Sequence, residues 1–171
     1  VSSISNGTLN LATMLNSILA VPISYLTSPL GMVVAIFLGQ TMWFFGIHGT
    51  NIVFTTILAA YLAAVATNSE LYAAGLPLAF SAVFLFRANS FVGGAGNTLP
   101  LCLMGLKSKS KQIQTVSRAA IIPGLFGINE PVIFGFPIMY NPILIIPFVL
   151  CPIVVMFFLW AGYAFGLLGL N

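Results

Sequence analysis

The sequence predicts an all-α integral membrane protein, a polytopic helical bundle with broken helices and re-entrant hairpins. Only 4% of the 171 residues are charged, whereas about 25% is usual for a soluble domain. No charged residue precedes Glu70, so the uncharged stretch is far longer than the roughly 20 apolar residues of one membrane-spanning helix. Residues 143–158 show no polar alternation, which argues against a membrane β-strand. We therefore expect a multi-pass protein in the lipid bilayer.

Five apolar stretches are candidate membrane spans. The second opens with Pro29, which suits the first turn of a helix. The third is expected to end at the polar residues 67–70, and the fourth is short and interrupted by Gly75 and Pro77. The five stretches are residues 9–26, 29–46, 51–66, 71–86 and 142–168.

Two further segments do not look like plain spans. Residues 88–98 are rich in glycine and polar side chains, and residues 119–142 contain four prolines and three glycines. Irregular backbone at membrane depth persists only where it is buried in protein or lines a water-filled cavity. We therefore expect these segments to line the interior of a pathway.

A cluster of basic residues marks one loop. Lys107, Lys109, Lys111 and Arg118 lie in the one strongly polar stretch, residues 107–118. An excess of Lys and Arg beside membrane spans marks the cytoplasmic side, and a basic loop can also attract an acidic or phosphorylated partner. Almost all of the net charge of +3 comes from this cluster, so the charge does not indicate a nucleic-acid partner.

One short pattern occurs twice. Residues 45–48 read FGIH and residues 126–129 read FGIN, each a Phe-Gly-Ile step followed by polar groups within an apolar region. Paired breaks of this kind in two parts of a chain point to the midplane binding site of a transporter. The two breaks carry the only histidine, His48, and adjoin Glu130, one of only two acidic residues.

Each of these polar side chains has a structural and a functional interpretation. Glu130 could lie near the headgroups or cap a helix that starts at Pro131, but ionisable groups at membrane depth usually serve function, which favours a substrate or proton site. His48 could satisfy a buried helix end or bind a ligand. Trp43 could anchor at the membrane interface or form an aromatic pocket wall. Glu70, in a polar turn, is expected in a solvated loop.

The cysteines predict neither a metal site nor a disulfide. Cys102 and Cys151 lack CxxC spacing, and no cofactor is predicted. The segment that begins at Cys102 looks faintly like a phosphate-carrying loop, with a glycine and hydroxyls after the cysteine, but it follows a membrane segment rather than a buried strand of a soluble domain. We interpret both cysteines as packing residues.

The two breaks, with their neighbours, resemble a known family. WFFGIHG at residues 43–49 and PGLFGINEPVIFGFPIMYNPILIIPF at residues 123–148 are similar to enzyme IIC, the membrane subunit of bacterial sugar phosphotransferase systems (PTS). The similarity is to the lactose/cellobiose/diacetylchitobiose branch. Residues 1–171 would then be a partial transport domain, a fragment without the family's N-terminal bundle and C-terminal end. The start of the chain carries no recognisable signal peptide.

The resemblance implies group translocation. A family member binds a disaccharide in a membrane-embedded site, carries it inward and presents its 6-hydroxyl to the cytosolic enzyme IIB, whose phosphocysteine donates the phosphoryl group. The implied location is the bacterial inner (plasma) membrane, and the implied assembly is a homodimer when the chain is full length.

The resemblance also implies roles for individual residues. The family's signature acid matches Glu130 and its histidine matches His48, and both are expected to hydrogen-bond the sugar beside the reacting hydroxyl as the catalytic pair. Trp43, Asn97 and Asn129 are implied as further substrate-binding residues. No metal ligand is implied.

Two rival functions stay open. Glu130 could be the proton site of a proton- or ion-coupled secondary transporter, although the chain offers one acid at depth rather than a relay. Uptake that follows the membrane potential and ignores the phosphoryl donor would favour this rival. The other rival is a non-catalytic assembly subunit, which would show no saturable sugar binding and would leave the two polar breaks unexplained.

Overall fold

The computed structural model describes residues 25–89 and 93–169, and all regular structure in these ranges is helical. Short helices occur between longer ones, which confirms the prediction of an all-α fold with broken helices. Within this part of the chain the helices are α1 (Pro29–Met42), α2 (Gly49–Ala73), α3 (Ala82–Asn89), α4 (Leu99–Gly105), α5 (Lys111–Leu125), α6 (Glu130–Gly135) and α7 (Pro142–Ala164), with 3-10 turns at Trp43–Phe45 and Ala95–Asn97.

Helix α1 and the 3-10 turn after it match the bounds of the second predicted stretch, residues 29–46, although together they are shorter than the helices that can cross a membrane. Ser28 caps α1, because its Oγ accepts a hydrogen bond from the N–H three residues on at 3.0 Å, and Pro29 occupies the first turn. The helix continues into the 3-10 turn Trp43–Phe45 and ends at Gly46. The first predicted span, residues 9–26, lies outside the described residues apart from its last two.

Helix α2 is longer than predicted, because it continues through the polar residues 67–70. Asn68 is only 7% exposed, and its side chain donates to the carbonyl of Ala79 at 3.0 Å and accepts from the same residue's N–H at 2.8 Å. These two bonds satisfy the buried amide, so the helix can include it. Glu70 is exposed, as predicted, but it lies in this helix rather than in a loop.

The prediction of a span at residues 71–86 is wrong. Helix α2 ends at Ala73, within the predicted span. Gly75 then adopts a left-handed φ of +67°, and the chain is non-helical until α3 begins at Ala82. The side chain of Asn68 holds this returning segment through Ala79. A hydropathy pattern does not register such a turn, since the residues on both sides of it are apolar.

The basic stretch at residues 107–118 is only partly a loop. Lys111 and Arg118 lie in α5. Ser110 starts this helix, since its Oγ accepts from the N–H of Ile113 at 3.4 Å. Polar composition alone predicted a loop because an exposed helix face carries the same kinds of residue.

Helix α7 confirms the last predicted span. Asn141 caps it by accepting from two backbone N–H groups, and Pro142 occupies the first position. Its 23 residues rise about 34 Å at roughly 1.5 Å per residue, enough for a hydrocarbon core of about 30 Å. Among the described residues, α2 and α7 are the helices long and apolar enough to cross a membrane.

Among residues 25–89 and 93–169, two buried clusters form the core, and α7 packs against both. The first cluster joins α1, α2 and α3 to the C-terminal half of α7, where Met156 lies. The second joins α4, α5 and α6 to the N-terminal half of α7, where Phe148 lies. Trp43, at the end of α1, belongs to the second cluster. The first Phe-Gly-Ile break therefore lies where the two clusters adjoin.

Candidate functional site

The two Phe-Gly-Ile breaks have the same backbone structure. Gly46 and Gly127 have left-handed φ angles of +76° and +77°. In each break the glycine N–H donates to the carbonyl three residues back, and the N–H of Ile47 or Ile128 donates to the carbonyl five residues back. Both breaks are therefore Schellman motifs, in which a left-handed glycine ends a helix and an apolar residue follows.

A new helix begins directly after each break. His48 is the N-cap of α2, and its Nδ1 accepts a hydrogen bond from the N–H of Asn51 at 3.3 Å. Asn129 occupies the N-cap position of α6, although its side chain makes no capping bond. The next residue, Glu130, lies in the first turn of α6, where the positive end of a helix dipole favours a carboxylate.

The two helix starts bring His48 and Glu130 together. Nε2 of His48 lies 3.4 Å from Oε1 of Glu130. Because Nδ1 accepts from the N–H of Asn51, an N–H of the ring is available on Nε2, the nitrogen that faces the carboxylate. The two side chains are 40% and 45% exposed, so a ligand can reach both.

The pair opens onto a cavity of about 230 Å³, which we call the site cavity. His48, Asn51, Asn129 and Glu130 supply polar groups to its wall, and α3 contributes Arg87. Ligand pockets commonly combine aromatic walls with a few polar groups of this kind. Within the described ranges, no three His, Cys, Asp or Glu side chains lie together as metal ligands would. The aromatic part of the wall is formed by Phe54, Phe86 and Phe126.

Trp43 lies against His48 and is not among the residues that line the site cavity. It is 2% exposed, and its Nε1 donates to Oγ1 of Thr50 at 3.0 Å. The centroid of its ring system lies 4.4 Å from that of the His48 imidazole. Trp43 therefore packs against the imidazole and restricts its orientation.

Asn129 joins the second break to the glycine-rich loop at residues 93–98. It is 3% exposed, and its Nδ2 donates to the carbonyl of Ala95 and, at 3.1 Å, to the hydroxyl oxygen of Thr98. The Thr98 hydroxyl in turn donates to the carbonyl of Gly93 at 2.8 Å. The backbone that carries the acid is thus fixed by a loop from a distant part of the sequence.

The loop at residues 93–98 approaches the second break so closely that it requires glycine. Gly94 has a φ of +70°, and a Cβ there would lie 2.5 Å from the carbonyl oxygen of Gly127 and 2.6 Å from Oδ1 of Asn129. Those distances leave no room for a side chain, and only glycine adopts this conformation without strain. The close approach explains the glycine-rich composition from which interior backbone was predicted.

Asn97 is a predicted substrate-binding residue that does not line the site cavity. It is 8% exposed, and its Nδ2 donates to the carbonyl of Asn89 at 2.9 Å. It lines instead a much smaller cavity of about 10 Å³. The predicted site residues that line the site cavity are His48, Asn129 and Glu130.

Arg87 and the phenylalanine wall were not predicted from the sequence. Cζ of Arg87 lies 5.5 Å from the ring centroid of Phe54, and the rings of Phe54 and Phe86 are nearly parallel with centroids 6.3 Å apart. A signal existed, since Arg87 is the one charged residue between Glu70 and Lys107. Arg87 also lines a wider cavity of about 650 Å³, but that cavity has no histidine or acid in its wall. We therefore assign the site to the smaller one.

Comparison with known proteins gives a consistent result. The sequence model of the family "Phosphotransferase system, EIIC" matches residues 1–152. The chain is 38% identical over 162 residues to the putative permease IIC component YwbA of Bacillus subtilis (strain 168), covering 92% of this chain and 36% of that protein. It is 37% identical over 150 residues to the PTS system lactose-specific EIICB component of Streptococcus mutans serotype c, covering 85% of this chain and 26% of that protein.

A solved structure has the same fold. It is the crystal structure of the transporter ChbC, the IIC component from the N,N'-diacetylchitobiose-specific phosphotransferase system, which matches with a TM-score of 0.80 at 31% identity. The match covers 94% of this chain and 38% of that one. This chain thus spans between about a quarter and two fifths of the length of the proteins it matches. The chain belongs to the phosphotransferase system EIIC family.

Proposed function

We propose that this chain forms the sugar-binding part of a phosphotransferase permease. The whole permease would bind a disaccharide of the cellobiose, lactose or diacetylchitobiose type, carry it across the bacterial plasma membrane and present its 6-hydroxyl for phosphorylation. The observation that carries this proposal is the contact of 3.4 Å between His48 and Glu130 at the site cavity. A hydroxyl placed there meets a carboxylate acceptor whose other oxygen is held by the imidazole N–H.

The pair has a defined part in the proposed phosphoryl transfer. The sugar oxygen forms a bond to phosphorus, the bond from phosphorus to the cysteine sulfur of enzyme IIB breaks, and the hydroxyl proton passes to the carboxylate of Glu130. Phosphoryl transfer depends mainly on positioning and on charge stabilisation, so a strong base is not required. The Nε2 proton of His48 keeps one carboxylate oxygen oriented while the other faces the hydroxyl.

The rest of the wall suits a sugar. The nearly parallel rings of Phe54 and Phe86 offer an apolar face for the C–H side of a pyranose ring, while Asn51 and Asn129 adjoin the polar pair. Arg87 places a fixed positive charge on the same wall, where it can stabilise negative charge as the phosphoryl group arrives. A phosphorylated sugar is charged, so the apolar pathway would oppose its return.

The partners follow from the proposed reaction. Enzyme IIB would dock on the cytoplasmic side, where the basic residues at the start of α5 lie by the positive-inside rule. In the lactose-specific relative the name EIICB joins the C and B components in one protein. We further propose a multi-pass location in the bacterial plasma membrane and a homodimeric full-length permease, as the family resemblance implies.

The chain offers a matched test, because it has two acids in different settings. Glu130→Gln in the complete permease should lower sugar phosphorylation by about 10²-fold or more, since it removes the proton acceptor without changing the side-chain shape. Glu70→Gln, at an exposed position of α2, should leave phosphorylation unchanged. Phosphorylation by membrane vesicles supplied with phosphorylated enzyme IIB is the measurement. Full activity of Glu130→Gln would remove Glu130 from the mechanism.

The same vesicles distinguish the rival secondary transporter. Dissipating the membrane potential with a protonophore should leave phosphorylation-coupled uptake intact, whereas withholding the phosphoryl donor should abolish it. The reverse pattern would make Glu130 a proton site and contradict group translocation.

A further inference from the structure

Three buried amide side chains from different elements converge next to the site. Gln40 on α1, Asn89 at the end of α3 and Asn97 in the 3-10 turn are 5%, 5% and 8% exposed. In the described part of the chain, the side-chain oxygen of each has no hydrogen-bond donor. Buried polar atoms in folded proteins nearly always have a partner, so three unmatched acceptors call for a common explanation.

Two of the three oxygens are identified by the bonds of the amide nitrogens. Nδ2 of Asn89 donates to the carbonyl of Pro152 at 2.7 Å, and Nδ2 of Asn97 donates to the carbonyl of Asn89 at 2.9 Å. Exchanging nitrogen and oxygen would place oxygen against carbonyl oxygen in both cases. The outward atoms are therefore acceptors that require donors.

All three side chains line one cavity of about 10 Å³, close to the volume that a single water molecule requires, about 10–15 Å³. Thr50 also lines it, and the rest of the wall includes Ile36 and Pro152. No carboxylate is among the described residues that line the cavity, so a cation there would lack the charge compensation that a buried ion needs. The polar lining and the small volume favour a neutral donor.

We propose that one water molecule is bound in this cavity as a fixed part of the fold, within reach of the side-chain oxygens of Gln40, Asn89 and Asn97. A water molecule has two protons, so it donates to two of the three oxygens at a time. Oγ1 of Thr50 accepts from Trp43, which leaves its own proton to donate to the water oxygen.

This water connects the core to the site. It joins α1 and α3 to the loop at residues 93–98 through Asn97. The same loop supplies Ala95 and Thr98 to the side chain of Asn129. The bound water therefore fixes the support of the second break, whichever sugar is the substrate, and the inference does not depend on the proposed reaction.

Radiolytic hydroxyl labelling tests the proposal directly. A brief X-ray pulse generates hydroxyl radicals from bound water and modifies adjacent side chains even when they are buried. In the complete permease in lipid nanodiscs, Ile36 should be labelled several-fold faster than Ile57, a matched isoleucine of equal burial at 2% and 1% exposed. Pro152, which lines the same cavity, should also be labelled faster than Ile57. Equal labelling of Ile36 and Ile57 would overturn the proposal.

A variant and a salt series sharpen the result. Gln40→Met keeps the side-chain length and puts an apolar group in place of the amide at the cavity wall, so water should bind less well there and labelling of Ile36 should fall toward that of Ile57 while the protein stays folded by its melting curve. Unchanged labelling in this variant would contradict the site. Melting temperatures in sodium, potassium and choline chloride should agree. A melting temperature that is higher in sodium chloride alone would indicate a cation in the cavity and contradict the proposal of a water molecule.

Discussion

The two Phe-Gly-Ile breaks share their backbone geometry and differ in what holds them. The first break is fixed locally, because His48 caps the helix that it starts. The second is fixed by distant residues, because Asn129 leaves its own helix uncapped and bonds to Ala95 and Thr98. The same Phe-Gly-Ile sequence thus ends a helix in both places. The residue that follows differs: His48 caps the helix that it starts, whereas Asn129 ties the start of its helix to another part of the chain.

This difference separates two tasks within the candidate site. At the first break one side chain both starts the helix and faces the ligand, since His48 uses Nδ1 for the cap and Nε2 for Glu130. At the second break the tasks fall on neighbours, since Asn129 is the anchor and Glu130 carries the chemistry. Substitutions at the first break should therefore couple function to local helix stability, and those at the second should separate them.

The largest expected effect comes from closing the space beside the second break. Gly94→Ala would place a Cβ 2.5 Å from the Gly127 carbonyl oxygen and force a left-handed alanine, so we expect a loss of more than about 4 kcal/mol in the free energy of unfolding. Gly46→Ala at the first break would contact only the Met139 sulfur at 3.4 Å and should cost about 1–2 kcal/mol. Denaturant titration of the complete permease in detergent measures both. Equal losses would contradict the contrast.

A smaller effect is expected from removing the anchor of the second break. Asn129→Ala deprives Ala95 and Thr98 of a buried donor, which should lower the free energy of unfolding by about 2–4 kcal/mol. Asn141→Ala is the matched control, since it removes an ordinary cap from α7 and should cost about 1 kcal/mol. The same titration applies. If Asn129→Ala cost no more than the control, the second break would not depend on the loop at residues 93–98.

The smallest change in stability should come from His48→Asn. Asparagine is a good N-cap, so the free energy of unfolding should stay within about 0.5 kcal/mol of wild type, whereas His48→Ala should lose about 1 kcal/mol. Both variants lack the imidazole and should lose sugar phosphorylation. Parallel melting and phosphorylation assays separate the cap from the chemistry, and retained phosphorylation in His48→Asn would mean that the imidazole is not needed.

The sequence could predict the breaks because their signal is local. A glycine followed by isoleucine after an apolar helix describes the left-handed residue and the apolar contact of a Schellman motif, and it occurs at Gly46 and Gly127 alike. The pairing of His48 with Glu130 is not a local property. The repeated pattern suggested one shared site and the family resemblance named His48 and Glu130 as its pair, but no spacing in the chain states that the two side chains meet.

Other features escaped prediction because they depend on packing. The side chain of Asn68 looks like a turn former in the sequence, yet two bonds to Ala79 make it a helix residue and fold the chain back, which removed the expected fourth span. Trp43 could not be assigned to a wall or an interface, since its burial is decided by the second core cluster. Arg87 had a visible signal in its isolation, but its partner ring, Phe54, lies on another helix.

The histidine at the first break is held by the helix that it starts. Nδ1 of His48 accepts from the N–H of Asn51, so the first turn of α2 fixes how far the imidazole can rotate. The backbone of that helix therefore acts as a restraint on the direction of the ring. Any event that frays the turn would at the same time free the imidazole to swing away from Glu130 and would open the contact of 3.4 Å between them.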